Sequence, residues 1–120
     1  MNQSHNEIPE IDPDHALTEV EAGRAALLDV REMEEWTAGH ARPARHVPAS
    51  LITGGDVSDL NLDADRAVIT VCRSGRRSQT AAVTLAAQGI SVSNLTGGMQ
   101  AWEAAGHLLV TDDGHPGVVV

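Results

Sequence analysis

Between Val68 and Ala82 the sequence reads Val-Ile-Thr-Val-Cys-Arg-Ser-Gly-Arg-Arg-Ser-Gln-Thr-Ala-Ala, and no other stretch limits so tightly what the chain can fold into. The β-branched run from Val68 predicts a strand. It delivers the only cysteine, Cys72, to a polar loop, and a helical run starting near Ser78 follows at once. A strand, a tight loop and a helix in that order make the loop N–H groups and the positive end of the helix dipole converge on one point, where an anion would sit. Cys72 stands at the rim of that point.

The flanking segments repeat the alternation. Asp12 followed by Pro13 is an N-cap and first-turn pair, so a helix is expected over 13–22 with Ala16, Leu17 and Val20 on its buried face and Gly23 ending it. Ala25 to Val30 is nearly all apolar, the pattern of a strand covered on both faces, with Asp29 as the exception. A short helix over 31–38 would turn Met33 and Trp36 inward. Pro43 and Pro48 then break any helix and leave a loop with a brief strand near 45–47. Residues 49–65 carry only a weak pattern of short helix or turns. Arg66 to Val71 is the central strand and Ser78 to Gln88 the next helix, closed by Gly89 at its C′ position. Ile90 to Leu95 reads as a strand, Gly97-Gly98 as a turn into a helix ended by Gly106 with Trp102 in the core, and 108–110 as a last short strand. The expected architecture is an α/β domain with a mainly parallel central sheet and helices on both faces. It would span 8–110, between an N-terminal tail at 1–7 and a loose tail at 111–120.

Composition narrows the function. With 120 residues and 42% hydrophobic content, one domain can bury roughly two-thirds of its unfolded surface. The balance of 17 acidic against 8 basic residues repels phosphate and argues against nucleic-acid or anionic-membrane partners. All eight basic residues are arginines, and Arg73, Arg76 and Arg77 cluster after the cysteine. A lone cysteine allows no internal disulfide, and no apolar run is long enough to span a bilayer, so a cytoplasmic setting with Cys72 as a free thiol is expected.

A free cysteine is commonly a buried hydrophobe. Here Arg73, Ser74, Gly75, Arg76 and Arg77 surround it with charge and turn chemistry, and Gly75 permits the positive φ that would aim successive N–H groups inward. Positive charge and a helix N-terminus favour thiolate over thiol, which predicts a nucleophile. Its targets would be small oxyanions or sulfane sulfur: phosphate esters, arsenate or sulfur donors. Asp29, at the end of a buried strand, must be paired, with Arg31 or the loop backbone as partner. Both are expected to organise the site, and His40 to bond one loop to another. The six histidines show no metal-ligand spacing, Gly97-Gly98 without a lysine is a turn, and no cofactor is called for.

Five segments, in order, resemble the rhodanese family of sulfurtransferases: Leu27-Leu-Asp-Val-Arg-Glu32; Glu35-Trp36 with Gly39-His40; Val47-Pro48; Cys72 through Ser78; and Asn94-Leu-Thr-Gly-Gly-Met-Gln-Ala-Trp102. They cover residues 8–110. The resemblance implies that Cys72 takes sulfur from an anionic donor such as thiosulfate, becomes a persulfide, and hands the sulfur to cyanide, a thiol or a sulfur-accepting protein. It also implies a six-membered loop from Cys72 through Arg77, one residue shorter than in the related cell-cycle phosphatases. A tighter ring brings N–H groups onto the terminal persulfide sulfur. Arg77 is expected to point into that ring, with Arg73 and Arg76 facing outward. The chain departs from the family at Ala41-Arg42-Pro43-Ala44, where Arg42 and Arg45 would widen a cationic entrance. Two alternatives stay open: a phosphatase or arsenate reductase on the same cradle, and a binding module that turns nothing over.

Overall fold

In a computed structural model of the chain, residues 7–62 and 65–120 are described; the expected tail at 1–7 falls almost wholly outside them. The elements follow as β1 (Glu10–Ile11), α1 (Pro13–Glu21), β2 (Ala25–Asp29), α2 (Met33–Ala38), β3 (Arg45–His46), α3 (Ala49–Thr53), a 3-10 turn (Val57–Leu60), β4 (Ala67–Val71), α4 (Arg76–Ala87), β5 (Val92–Leu95) and α5 (Gly98–Ala104). The sheet order is β1-β5-β4-β2-β3, and every pairing is parallel.

The faces follow from the period of two along the strands. Leu28, Val30 and Val68 join Ile52 of α3 and Ala81, Ala82 and Leu85 of α4 on one side. Leu27, Ile69 and Val71 join Ala16 and Val20 of α1 and Met99 and Trp102 of α5 on the other. Helices therefore cover both faces, and the near-continuous apolar runs of β2 and β4 are explained by burial on both sides. Side chains of Asp12 and Pro13 start α1 as expected, the Asp12 carboxylate accepting from the His15 N–H at 2.8 Å.

Several expectations are corrected. Met33 is 60% exposed, because α2 sits beyond the strand ends and buries no residue in the core. Trp36 is half-buried, stacked on the imidazoles of His40 at 3.6 Å and His46 at 4.9 Å. The run 108–110 forms no strand: Val110 makes single bridges to His40 and Pro116. Residues 111–120, expected to be loose, fold back so that the Gly117 N–H donates to Leu109 O and the Val118 N–H to Ala38 O, both at 2.9 Å. Edge strand β1 was not anticipated; two residues carry no periodicity, and its pairing with β5 is settled by the tertiary fold.

The chain's path through the sheet has one reversal. From β2 it steps outward to β3, and from β4 it steps the opposite way to β5. In open parallel sheets the crevice beyond the strand ends at such a reversal is where ligands bind. Here that crevice lies between the ends of β2 and β4, where Asp29-Val30-Arg31 and Cys72 leave the sheet.

Candidate active site at the ends of β2 and β4

β4 ends at Val71, and the next four residues turn the chain into α4. Gly75 takes φ +115° as the N-cap, a conformation only glycine adopts without strain, so the helix begins at Arg76, two residues earlier than its sequence pattern indicates. The consequence is a closed cradle. Cys72 Sγ accepts from the Gly75 N–H at 3.1 Å, the Ser78 N–H at 3.4 Å and the Ser78 hydroxyl at 3.3 Å. The loop's carbonyls are held from the other side: the Met99 N–H donates to Cys72 O at 2.7 Å and the Gln100 N–H to Arg73 O at 3.0 Å. Gly98 permits this approach, since a Cβ there would meet Cys72 O at 2.4 Å.

Cys72 is only 1% exposed, yet its sulfur faces polar donors. Burial pushes the thiol up, and the donors of Ser78, Gly75 and Ser74 together outweigh it, leaving the group below its ordinary value. The thiolate is thus favoured chiefly by main-chain dipoles and one hydroxyl. That hydroxyl has a single proton and two acceptors in reach, Sγ and Asn94 Oδ1 at 2.6 Å. Asn94, on β5, also clamps the loop by donating from Nδ2 to Gly75 O at 3.1 Å.

The β2 side is built from ion pairs. Asp29 and Arg31 are both wholly buried. Arg31 Nε donates to Asp29 Oδ1 at 2.9 Å and Nη2 to Oδ2 at 2.7 Å, while Nη2 also reaches Gly39 O at 2.8 Å. Arg31 is therefore the partner Asp29 requires, and the pair pins the start of the β2–α2 connection. His40 ties loops together as expected, Nδ1 lying 2.9 Å from Trp36 O and its main chain pairing with Val110.

The arginines of the loop divide differently from expectation. Arg77 does not aim at the sulfur: its Nη1 and Nη2 donate to the two carboxylate oxygens of Glu35 at 2.7 and 2.8 Å. A forked guanidinium matches a carboxylate in a way the loop's N–H groups do not need. The pair holds Glu35 down at about 2 and pushes Arg77 up. Arg73 and Arg76 are exposed, as expected. Arg73 Nε donates to Val120 O at 3.0 Å, and the Gln100 side-chain oxygen, with its amide turned to suit, accepts from both terminal nitrogens at 3.2 Å. Ser74 is exposed at the loop tip.

Glu35, Ser78 and Asn94 escaped the sequence reading as site residues. Glu35 lies 42 positions from Arg77, and only its N3 place in the capping box with Glu32 signals a defined side chain. Ser78 was legible in principle as the residue after the loop at a helix start. Arg42 does not widen the entrance to Cys72. It lines a separate groove of about 470 Å³ with Leu17, Glu21, Pro43, Trp102, His107 and Leu108, at the C-terminal ends of α1 and α5, whereas Cys72 is held against the N-terminus of α5. Arg45 is exposed on edge strand β3. Among the described residues no group of three or more His, Cys, Asp or Glu side chains is placed to hold a metal ion, and no helix is long and apolar enough to cross a membrane.

The chain is similar to known proteins over most of its length. The thiosulfate sulfurtransferase GlpE of Pseudomonas putida is 34% identical over 102 residues, covering 82% of this chain and 88% of that protein. The putative sulfurtransferase YtwF of Bacillus subtilis is 37% identical over 100 residues, covering 81% and 92%. A rhodanese-like domain protein from Staphylococcus aureus superposes with a TM-score of 0.69 at 30% identity over 79% of this chain and 91% of its own. A rhodanese-related protein from Thermoplasma volcanium shares the fold, with a TM-score of 0.75 at 24% identity over 85% and 97%. The sequence model of the rhodanese-like domain matches residues 12–105, and the chain belongs to that family.

Proposed function

We propose that the protein is a sulfurtransferase that moves sulfane sulfur from an anionic donor such as thiosulfate to cyanide or a thiol, small or carried by a protein, through a persulfide on Cys72. In the first step the Cys72 thiolate attacks the outer sulfur of thiosulfate. A new S–S bond forms as the bond to the sulfonate sulfur breaks, and sulfite leaves with the electron pair. In the second step the acceptor nucleophile takes the terminal sulfur, and Cys72 departs as thiolate. No cofactor is required by this balance. With one cysteine in the chain, no internal thiol can resolve the persulfide, so the acceptor comes from outside.

The observation that carries this reading is the aim of the Gly75 and Ser78 N–H groups at Sγ. Fixed dipoles there stabilise a thiolate before attack and the departing thiolate afterwards. The loop from Arg73 through Arg77 is assigned the donor-binding role, Arg73 and Arg76 attracting the anion, and Asp29 with Arg31 holds the β2 wall in place. The Ser78 N–H closes the ring one residue after Arg77, the compact size suited to a sulfur atom. A reducing compartment, the cytoplasm, suits a lone nucleophilic thiol. The phosphatase or arsenate reductase alternative is disfavoured by Arg77, whose fork is occupied by Glu35 and so is not presented to a tetrahedral oxyanion.

Intact mass after incubation with thiosulfate tests the proposal. The protein should gain one sulfur atom and lose it again to cyanide or dithiothreitol, and Cys72→Ser should gain nothing. Hydrolysis of an aryl phosphate without any mass gain would overturn it in favour of the phosphatase, and neither result would leave a binding module.

A further inference from the structure

Behind Cys72 stand three buried polar side chains whose hydroxyl protons are outnumbered by the acceptors in reach. Thr70 on β4 and Ser78 on α4 are wholly buried, and Asn94 on β5 is 3% exposed. Ser78 Oγ lies 2.6 Å from Asn94 Oδ1 and 3.3 Å from Cys72 Sγ. Thr70 Oγ1 lies 3.1 Å from Ser78 O, 3.3 Å from Ser93 O and 3.4 Å from Asn94 Oδ1. A hydroxyl has one proton to give, so each of the two must choose.

The Asn94 amide is not free to alter that choice. Its Nδ2 donates among Gly75 O at 3.1 Å, Glu10 Oε2 at 3.2 Å and Gln79 Oε1 at 3.3 Å, and a flip would set Oδ1 against all three. Oδ1 is thereby fixed as an acceptor facing two hydroxyls. While Cys72 is a neutral thiol its sulfur is a weak acceptor, and the shorter bond to Asn94 holds the Ser78 proton. Once the sulfur is an anion, a charge-assisted bond outweighs a neutral one, and the hydroxyl turns to Sγ. Asn94 Oδ1 would then be bare in a buried site. Thr70 supplies the replacement, because Ser78 O lies inside α4, where the helix provides a main-chain donor of its own.

We infer that Asn94 and Thr70 are positioning residues for Cys72: Asn94 holds the Ser78 hydroxyl proton while the sulfur is neutral, and Thr70 takes that place on Asn94 when the hydroxyl turns to the thiolate. The catalytic use of this relay rests on the sulfurtransferase reading, in which Sγ is anionic before attack, neutral in the persulfide and anionic again as the sulfur leaves. The charged groups around the cluster stay as they are: Glu10 of β1 at Asn94 Nδ2, Arg77 of α4 on Glu35 of α2, Asp29 with Arg31 after β2, and the exposed Arg73 and Arg76.

Thiolate absorbance followed against pH tests the relay, since the chain holds a single cysteine. Asn94→Leu keeps a branched shape without either polar atom. It removes the acceptor that competes with sulfur for the Ser78 proton, so the titration should move to lower pH. Thr70→Val keeps the side-chain shape without the hydroxyl. The Ser78 proton is then held on Asn94, and the titration should move to higher pH, while Thr70→Ser should return it to its original place. In a Ser78→Ala background neither Asn94→Leu nor Thr70→Val should move it. Shifts of the same sign, no shift in Thr70→Val, or shifts that persist without the Ser78 hydroxyl would each overturn the inference, the last because a loosened loop needs no relay. Should Asn94→Leu fail to fold, Thr70→Val with and without the Ser78 hydroxyl decides alone. Failure of the persulfide to form with thiosulfate would instead sink the sulfurtransferase reading and leave these titrations standing.

Discussion

The two walls of the crevice are built on different principles. The β4–α4 wall acts through its main chain: N–H groups of Gly75 and Ser78 point at one sulfur, and every residue involved lies within seven consecutive positions. The β2–α2 wall acts through side chains, with the buried Asp29–Arg31 pair two positions apart and the part-exposed Glu35–Arg77 pair joining segments 42 positions apart. A main-chain site needs a loop shape, and many side chains satisfy a loop shape. A side-chain site needs particular partners, and losing one leaves the other with an unpaid desolvation cost. The wall that performs chemistry should therefore keep its fold when its exposed arginines, Arg73 and Arg76, are substituted, whereas the wall that performs none should be the more fragile in folding.

Arg31→Ala breaks that contrast hardest if it is wrong. The substitution leaves the Asp29 carboxylate wholly buried beside an empty site, and truncating one member of a buried pair costs about 3–5 kcal/mol. Urea titration should show a loss of that order, a large share of the stability of a domain this small. A loss under about 1 kcal/mol, the range of exposed pairs, would show that water reaches Asp29 and that the pair is not a structural pin.

Ser78→Ala examines the one side-chain donor that the chemical wall aims at the sulfur. It removes a donor to Sγ and the partner of Asn94 Oδ1. The thiol should rise, since one of the donors that favour its charged form is lost while the two N–H donors remain. Thiolate absorbance followed against pH reads the shift directly, and the alkaline-rising limb of sulfur transfer should move with it. No shift would mean that the hydroxyl proton stays on Asn94 and that the main chain alone sets the thiol.

This division also decides what could be read from the sequence. The β4–Cys72–α4 unit was legible because its determinants are local: a β-branched run, one glycine able to take φ +115°, and a helix start. The parallel sheet and the burial of Asp29 followed from the apolar run of 25–30 in the same way. Arg77 was misassigned because its orientation is set by Glu35, and nothing in a local window shows which of several carboxylates a guanidinium will meet. Met33 was misplaced because a period of 3.6 identifies a face without saying whether anything stands opposite it; α2 lies past the sheet. The fold-back of residues 111–120, expected as a loose tail, was not legible because its seat depends on two glycines, Gly39 and Gly117, far apart in the chain and in contact only once folded.

Glu35→Gln gives the smallest effect and the sharpest distinction between the two ion pairs. The Glu35 side chain is 17% exposed and that of Arg77 39%, so solvent screens the pair, and its contribution near neutral pH is below about 1 kcal/mol despite the low value of Glu35. The pH dependence carries the information. Glu35 sits at about 2 when folded against 4.5 for the free group, so the unfolded chain takes up its proton first as the solution is acidified. The stability from this group is present above about 4.5 and is lost as pH falls toward about 2. Glu35→Gln should therefore flatten the acid side of the stability profile between those values while changing neutral stability little. Because Arg77 contacts the carboxylate and not the sulfur, the thiolate titration of Cys72 should keep most of its position. A fall in that titration, from an Arg77 charge no longer cancelled by the carboxylate, would mean that Glu35 tunes the nucleophile through Arg77, and the two walls would then form one electrostatic unit.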